Sequence, residues 1–225
     1  MDARIAIVRT GVANLASVAV ACRRLGAKQV IVDSPNELKT SDALILPGVG
    51  AFGAGITRLR ERGWDQILRN RFAKDQPTLA ICLGMQLLCE SSEEAPGETG
   101  IGILPGRIEK FPDDVMVPQF GWNYVASASD RFSSGYVYFA NSYCLPNNPS
   151  ICEAGWEVLI AEHGCQFVAA AAKGRWLACQ FHPELSSRYG SALLRNWLQK
   201  ISGRSSNQPK QKKLNKSKQS EAPEC

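Results

Sequence analysis

The stretch TLAICLGMQLLCESSEE, Thr78–Glu94, sets one cysteine between an apolar run and an amphipathic segment. Thr78–Ile81 reads as a buried strand. From Leu83 onward, Leu83, Gln86, Leu87 and Glu90 recur at helical spacing. A strand that turns straight into a helix leaves little room at the corner. Ala80 and Gly84, two positions either side of Cys82, keep bulky side chains out of it. A residue held there points away from the sheet, with the free N–H groups of the helix start and their partial positive charge aimed at it. For a cysteine that environment favours thiolate over thiol. Two readings follow for Cys82: a nucleophile carried on a strand-to-helix elbow, or a small buried hydrophobe, as most free cysteines are.

The segments before this elbow alternate in the same way. RIAIV (Arg4–Val8) reads as a first strand, and Asn14–Leu25 as a helix with Asn14 as N-cap and Gly26 at its end. QVIV (Gln29–Val32) and DALILPG (Asp42–Gly48) read as further strands. Helices are predicted from about Ile56 to Arg62 and from Trp64 to Phe72. Strands alternating with helices imply parallel βαβ units, hence an α/β fold with a doubly wound, mostly parallel sheet. The second half differs. IGILPGRIEKF, YVYFANSYC, WEVLIAEHG, QFVAAAA and WLACQFHP are strand-like runs separated by turns, before a final helix over Arg188–Ile201. These predict antiparallel strands added to the same sheet.

Charge and composition narrow the function classes. The net charge of +5 is concentrated in the last segment, where Arg204–Cys225 holds six Lys or Arg against two Glu. Residues 1–203 hold twenty basic and nineteen acidic residues, so the body carries no basic footprint for nucleic acid. The organisation expected is one domain over 1–203 and a disordered basic tail over 204–225. There is no run of eighteen apolar residues, so no membrane-spanning helix is expected. The N-terminus lacks the apolar core of a signal peptide. Eight cysteines without a C-x-x-C pair read as reduced thiols rather than a zinc site or disulfide framework. The expectation is a cytoplasmic protein without metal or cofactor. Of the five tryptophans, Trp122 reads as a possible interface residue and the rest mostly as core; Cys89, on the predicted helix after Cys82, reads as packing.

Ligands of such a sheet gather at the carboxyl ends of its parallel strands. LPGVGAFG, Leu46–Gly53, ends one of them with three glycines. It lacks the Lys and Ser/Thr of a nucleotide-binding loop. A plain turn accounts for the glycines; backbone N–H donors for a developing oxyanion are the sharper alternative. A cysteine nucleophile needs a base, and the chain has two histidines. His163 reads as a turn residue between two strands. His182 follows a strand, is held extended by Pro183, and has Glu184 two residues on, on the same side of the chain. That spacing lets the carboxylate hold one ring nitrogen while the other faces the thiol, giving a Cys82–His182–Glu184 triad.

ICLGMQLL with QFHPE about a hundred residues later resembles the class I, triad-type glutamine amidotransferases. LILPGVGAFG, RLRERG, SSEE, GILPGRIEKF, VPQFGWN and YVYFANSY, in this order, resemble the glutaminase subunits of imidazole glycerol phosphate synthases, over roughly Arg4–Lys200. The resemblance implies that Cys82 attacks the side-chain amide of L-glutamine, that His182 transfers protons and that Glu184 positions it. It implies an oxyanion hole from the backbone at Val49 and Leu83, and substrate contacts from Gln86 and Gly50. It further implies a heterodimer with a (β/α)8-barrel cyclase subunit, which receives the ammonia for histidine biosynthesis. A glutaminase serving another synthase, such as a sugar-amidinating one, and a catalytically silent regulatory subunit are the alternatives. The chain departs from the family pattern at Ala80, where Gly is common, at Arg9, at the pair Gln119–Phe120, and at Asn141.

Overall fold

A computed structural model describes residues 4–10, 15–39 and 43–201. The Asn14 cap and the tail beyond residue 203 lie outside the described residues. Among the described residues, twelve strands and six α-helices follow one another. The first half holds β1 (Arg4–Val8), α1 (Leu15–Arg24), β2 (Lys28–Val32), β3 (Ala43–Gly48), α2 (Phe52–Glu61), α3 (Trp64–Ala73), β4 (Thr78–Cys82) and α4 (Leu83–Leu87). The short strands β5 (Ser91–Ser92) and β6 (Arg107–Lys110) lead to β7 (Gln119–Ser127), β8 (Gly135–Asn141), β9 (Tyr143–Cys144) and α5 (Pro149–Glu153). β10 (Glu157–His163), β11 (Cys165–Lys173), β12 (Trp176–Cys179) and α6 (Ser187–Ile201) are the last of the described elements.

Nine strands form one sheet in the order β2-β1-β3-β4-β12-β11-β10-β7-β8. The β2–β12 half is parallel; from β12 to β8 each neighbour runs antiparallel. The expected mostly parallel sheet with added antiparallel strands is therefore observed. Strand periodicity feeds two cores. Ile5 and Ile7 of β1 and Ile45 of β3 pack with α1 and α6 on one face. Ala6, Val8, Leu44 and Leu46 pack with α2, α3 and α4 on the other. β4, between β3 and β12, is buried at all five residues, which is why its sequence is apolar without alternation.

Three sequence readings are corrected. The glycine-rich segment is shorter as a loop than expected, because α2 begins at Phe52 rather than Ile56. Ala51 offers no side-chain cap; the Glu94 carboxylate accepts from the Phe52 N–H at 2.7 Å and caps the helix from a distant segment. The helix after Cys82 stops at Leu87, so Cys89 and Glu90 lie beyond it. There the carbonyls of Leu87, Leu88, Cys89 and Glu90 accept from the backbone of residues 100–104, which leaves none to extend the helix. β7 was not among the predicted strands, because its aromatic side, Phe120, Trp122 and Tyr124, faces solvent. The other four tryptophans are buried, as read from the sequence.

Candidate active site

Cys82 ends β4 and begins α4 with φ 53° and ψ −115°. A non-glycine residue there carries roughly 1–3 kcal/mol of backbone strain, held only because its surroundings fix it. The corner is tight on the opposite side too. A Cβ on Gly48 would lie 2.8 Å from the Gly84 N and 2.9 Å from the Leu83 Cβ. A Cβ on Gly84 would collide with the Leu46 carbonyl. Glycine at both positions lets the end of β3 lie against the elbow, and this brings the Val49–Gly50 loop beside Cys82.

His182 is set from the far side of the same strand end. β12 runs parallel to β4 and delivers the chain to the same rim. The His182 N–H donates to the Tyr138 carbonyl at 3.0 Å, and the His182 carbonyl accepts from the buried Ser186 hydroxyl at 2.7 Å. Ser186 Oγ in turn accepts from the Tyr138 N–H at 3.0 Å, which ties this segment to β8. Pro183 opens a 3₁₀ turn over Pro183–Leu185 that folds Glu184 back, so that its Oε1 lies 2.9 Å from His182 Nδ1. The pairing is the one the two-residue spacing predicts, although the device is this turn and not the strand itself. Cys82 lines the same cleft as His182, and with Nδ1 committed to Glu184 the ring nitrogen left to face the thiol is Nε2.

Burial alone would push the imidazole down. Hydrogen bonds to Cys82 and Glu184, and the negative charge each can carry, outweigh it and push His182 up to about 10. The imidazole is held between a thiol and a carboxylate whose side chain is only 3 % exposed. Burial first, then the nearby Glu90 and Glu184 charges respectively, push Cys89 and Cys179 far above the ordinary thiol range. Cys89 bonds the Met85 carbonyl within its own turn and acts as packing, as read from the sequence.

Cys82 and His182 open into one cleft. Val49, Gly50, Leu83 and Gln86, singled out from the sequence, all line it, and Glu184 stands behind His182. Of the positions that depart from the family pattern, Phe120 and Asn141 line the cleft and Gln119 is buried next to them on β7. Arg9 is surface-exposed and pairs with Asp33 at 2.8 Å. His163, at the end of β10, bonds the Met116 carbonyl at 2.9 Å. Glu94, which the sequence reading left without a role, also lines the cleft. Its cue in the sequence was the acidic pair that follows Ser91–Ser92. The arrangement suits attack of a thiolate on an amide carbon, with a protonated imidazole beside the leaving nitrogen.

The family described as "Glutamine amidotransferase class-I" matches this chain over residues 6–201. The chain belongs to that family. Among relatives of this amidotransferase is the imidazole glycerol phosphate synthase subunit HisH of Symbiobacterium thermophilum, 39 % identical over 201 residues, covering 87 % of this chain and 93 % of that one. The HisH subunit of Methanothermobacter thermautotrophicus is 36 % identical over 203 residues, covering 88 % and 98 %. A solved glutamine amidotransferase superposes with a TM-score of 0.69 at 22 % identity, over 88 % of this chain and 99 % of that one. PurLQS from Thermotoga maritima superposes at 0.66 with 17 % identity, over 90 % and 99 %. These two likenesses establish a shared fold. Among the described residues of this amidotransferase, no helix is long and apolar enough to cross a membrane.

Proposed function

We propose that this amidotransferase is the glutaminase subunit of an imidazole glycerol phosphate synthase. The observation that carries the reading is the strained Cys82 meeting a His182–Glu184 pair inside one cleft, in a chain this similar to HisH subunits. The Cys82 thiolate attacks the δ-carbon of L-glutamine, and its carbonyl oxygen becomes an oxyanion facing the backbone at Val49 and Leu83. The His182 imidazolium gives its proton to the amide nitrogen. The C–N bond breaks, ammonia leaves and a γ-glutamyl thioester remains on Cys82. His182, now neutral, takes a proton from water as that water adds to the thioester. Collapse breaks the C–S bond, releases the γ-carboxyl group of glutamate and leaves the Cys82 thiolate beside the imidazolium that holds the proton from water, which restores the starting pair. Glu184 holds the ring in the orientation that serves both steps.

Substrate recognition follows from the donors and acceptors of the cleft. Glu94 offers the negative charge that suits an α-ammonium. Both N–H groups of the Gln86 carboxamide are committed to protein oxygens, one of them the Tyr143 carbonyl at 3.0 Å. Gln86 therefore turns its Oε1 towards substrate donors. Gly50, at φ 102°, lets the loop backbone approach without a side chain between.

Assembly with a cyclase barrel is supported by the outer face of β7 and β8. Phe120, Trp122, Tyr124 and Tyr136 are exposed between 49 % and 71 %, and they form an aromatic stripe beginning at the cleft. Exposed aromatics in one stripe suit a protein interface. Glutamate formation from glutamine, measured for the chain alone and with a (β/α)8-barrel cyclase plus its phosphoribulosyl ligand, tests the assignment. Stimulation of several orders of magnitude by barrel and ligand supports it. Equal turnover with and without them would point to another synthase.

A further inference from the structure

Gln180 is fully buried, lies between β12 and His182, and takes no part in the steps above. Its backbone N–H donates to the Ala169 carbonyl at 2.8 Å, which fixes where its side chain begins. The buried side chain links Cys82 and Gln86, two residues that line the cleft. Its Nε2 donates to Cys82 Sγ at 3.8 Å, and its Oε1 accepts from Gln86 Nε2 at 3.0 Å. Gln86 Nε2 gives its second hydrogen to the Tyr143 carbonyl, which also accepts from Asn141 Nδ2 at 2.9 Å. A single chain of carboxamides thus runs from the nucleophile to the substrate-facing wall.

The direction of each bond in that chain is fixed by its neighbours. The Tyr143 carbonyl can only accept, so Gln86 must present its NH2 there. Gln86 then has one N–H left for Gln180, which must answer with its carbonyl oxygen. That leaves only N–H donors on the Gln180 side facing Cys82. A buried N–H aimed at sulfur stabilises the charged form of the nucleophile. A side chain of the same size with a carbonyl or methyl there would not.

Resting on the reading of Cys82 as nucleophile, we propose that Gln180 donates a hydrogen bond that holds Cys82 as thiolate and, through its carbonyl, orients Gln86 for the substrate. Thiolate formation and substrate orientation are joined by one buried carboxamide. Other groups facing the thiol are His182 and the Ala140 carbonyl, the latter at 4.0 Å, with Glu94 lining the same cleft and Glu184 behind His182.

The test is the pH dependence of iodoacetamide alkylation at Cys82, read on the Cys82 peptide by mass spectrometry, in wild type and in Gln180→Met and Gln180→Glu. Thermal melting is recorded alongside to show that each variant is folded. Gln180→Met removes both bonds; Gln180→Glu keeps the acceptor for Gln86 and loses the donor to sulfur. Both variants are expected to move the midpoint of alkylation up by roughly one pH unit or more, the size of a lost charge-assisted hydrogen bond. In the complex with the synthase subunit, Gln180→Met raises the glutamine KM severalfold while Gln180→Glu changes it less. A wild-type midpoint in either folded variant overturns the proposal. A wild-type Cys82 that alkylates no faster than the exposed Cys152 overturns instead the reading on which it rests.

Discussion

His182 Nδ1 lies 2.9 Å from Glu184 Oε1, and the two residues are joined by a 3₁₀ turn that begins at Pro183. The carboxylate is nearly sealed from solvent, so the pair is much less screened than a surface ion pair. Replacing Glu184 by Gln keeps the shape and removes the charge that holds the imidazolium. Glutaminase turnover is expected to fall roughly 10²–10⁴-fold, as it does when an orienting carboxylate is neutralised in comparable triads. Steady-state kinetics of Glu184→Gln check this, and turnover within a few-fold of wild type would contradict the assigned role.

The same pair predicts a pH dependence of stability. His182 is raised from 6.5 to about 10 in the folded chain. A raised value means the folded state holds its proton more tightly than the unfolded state. The stabilisation is then complete below pH 6.5 and is lost as pH rises through about 10. The gap in Tm between wild type and Glu184→Gln is therefore widest below pH 6.5 and narrows towards pH 10. Melting curves across that range test the sign, and a gap that widens with pH would refute it.

At the elbow, glycine and alanine should exchange their usual ranks. In regular helices and strands Gly is less stable than Ala, but Cys82 sits at φ 53°. Cys82→Gly is expected to be more stable than Cys82→Ala by about 1 kcal/mol, because only glycine relieves the strained backbone. Chemical denaturation of the two inactive variants gives the difference directly.

Gly84 tests the packing that creates the elbow. A methyl group there meets the Leu46 carbonyl, a backbone atom that cannot rotate away. Gly84→Ala is expected to cost at least about 2–3 kcal/mol and to lower activity together with stability. Gly50→Ala meets no atom within 4 Å and pays only for its φ of 102°, so it is the milder change.

Glu94 has two duties that one substitution separates. It caps α2 through the Phe52 N–H and faces the cleft with its charge. Glu94→Gln keeps an oxygen for the cap and loses the charge. The glutamine KM should rise roughly tenfold or more, with Tm nearly unchanged, if the carboxylate pairs with the α-ammonium.

Much of this was legible in the sequence where local rules and burial agree. The apolar run of β4, the small residues flanking Cys82, and the His182–Glu184 spacing each point to the arrangement the structure brings together. Two of the misreadings share a cause, a distant segment replacing a local signal. α2 starts early because Glu94 caps it from outside its own sequence. α4 ends early because residues 100–104 take its carbonyls. β7 escaped notice because it turns its aromatics to solvent, inverting the usual pattern. Gln180 was hidden in the same way, since a glutamine at a strand end reads as solvated until its partners at positions 82 and 86 are placed beside it.

The central claim is that Cys82 carries the glutamyl group. The complex with its cyclase subunit, mixed with glutamine and acid-quenched within one turnover, should yield a Cys82 peptide heavier by one γ-glutamyl group. Cys82→Ala should show neither adduct nor glutamate formation. A glutamyl adduct on another cysteine, or undiminished glutamate formation by Cys82→Ala, would contradict the account.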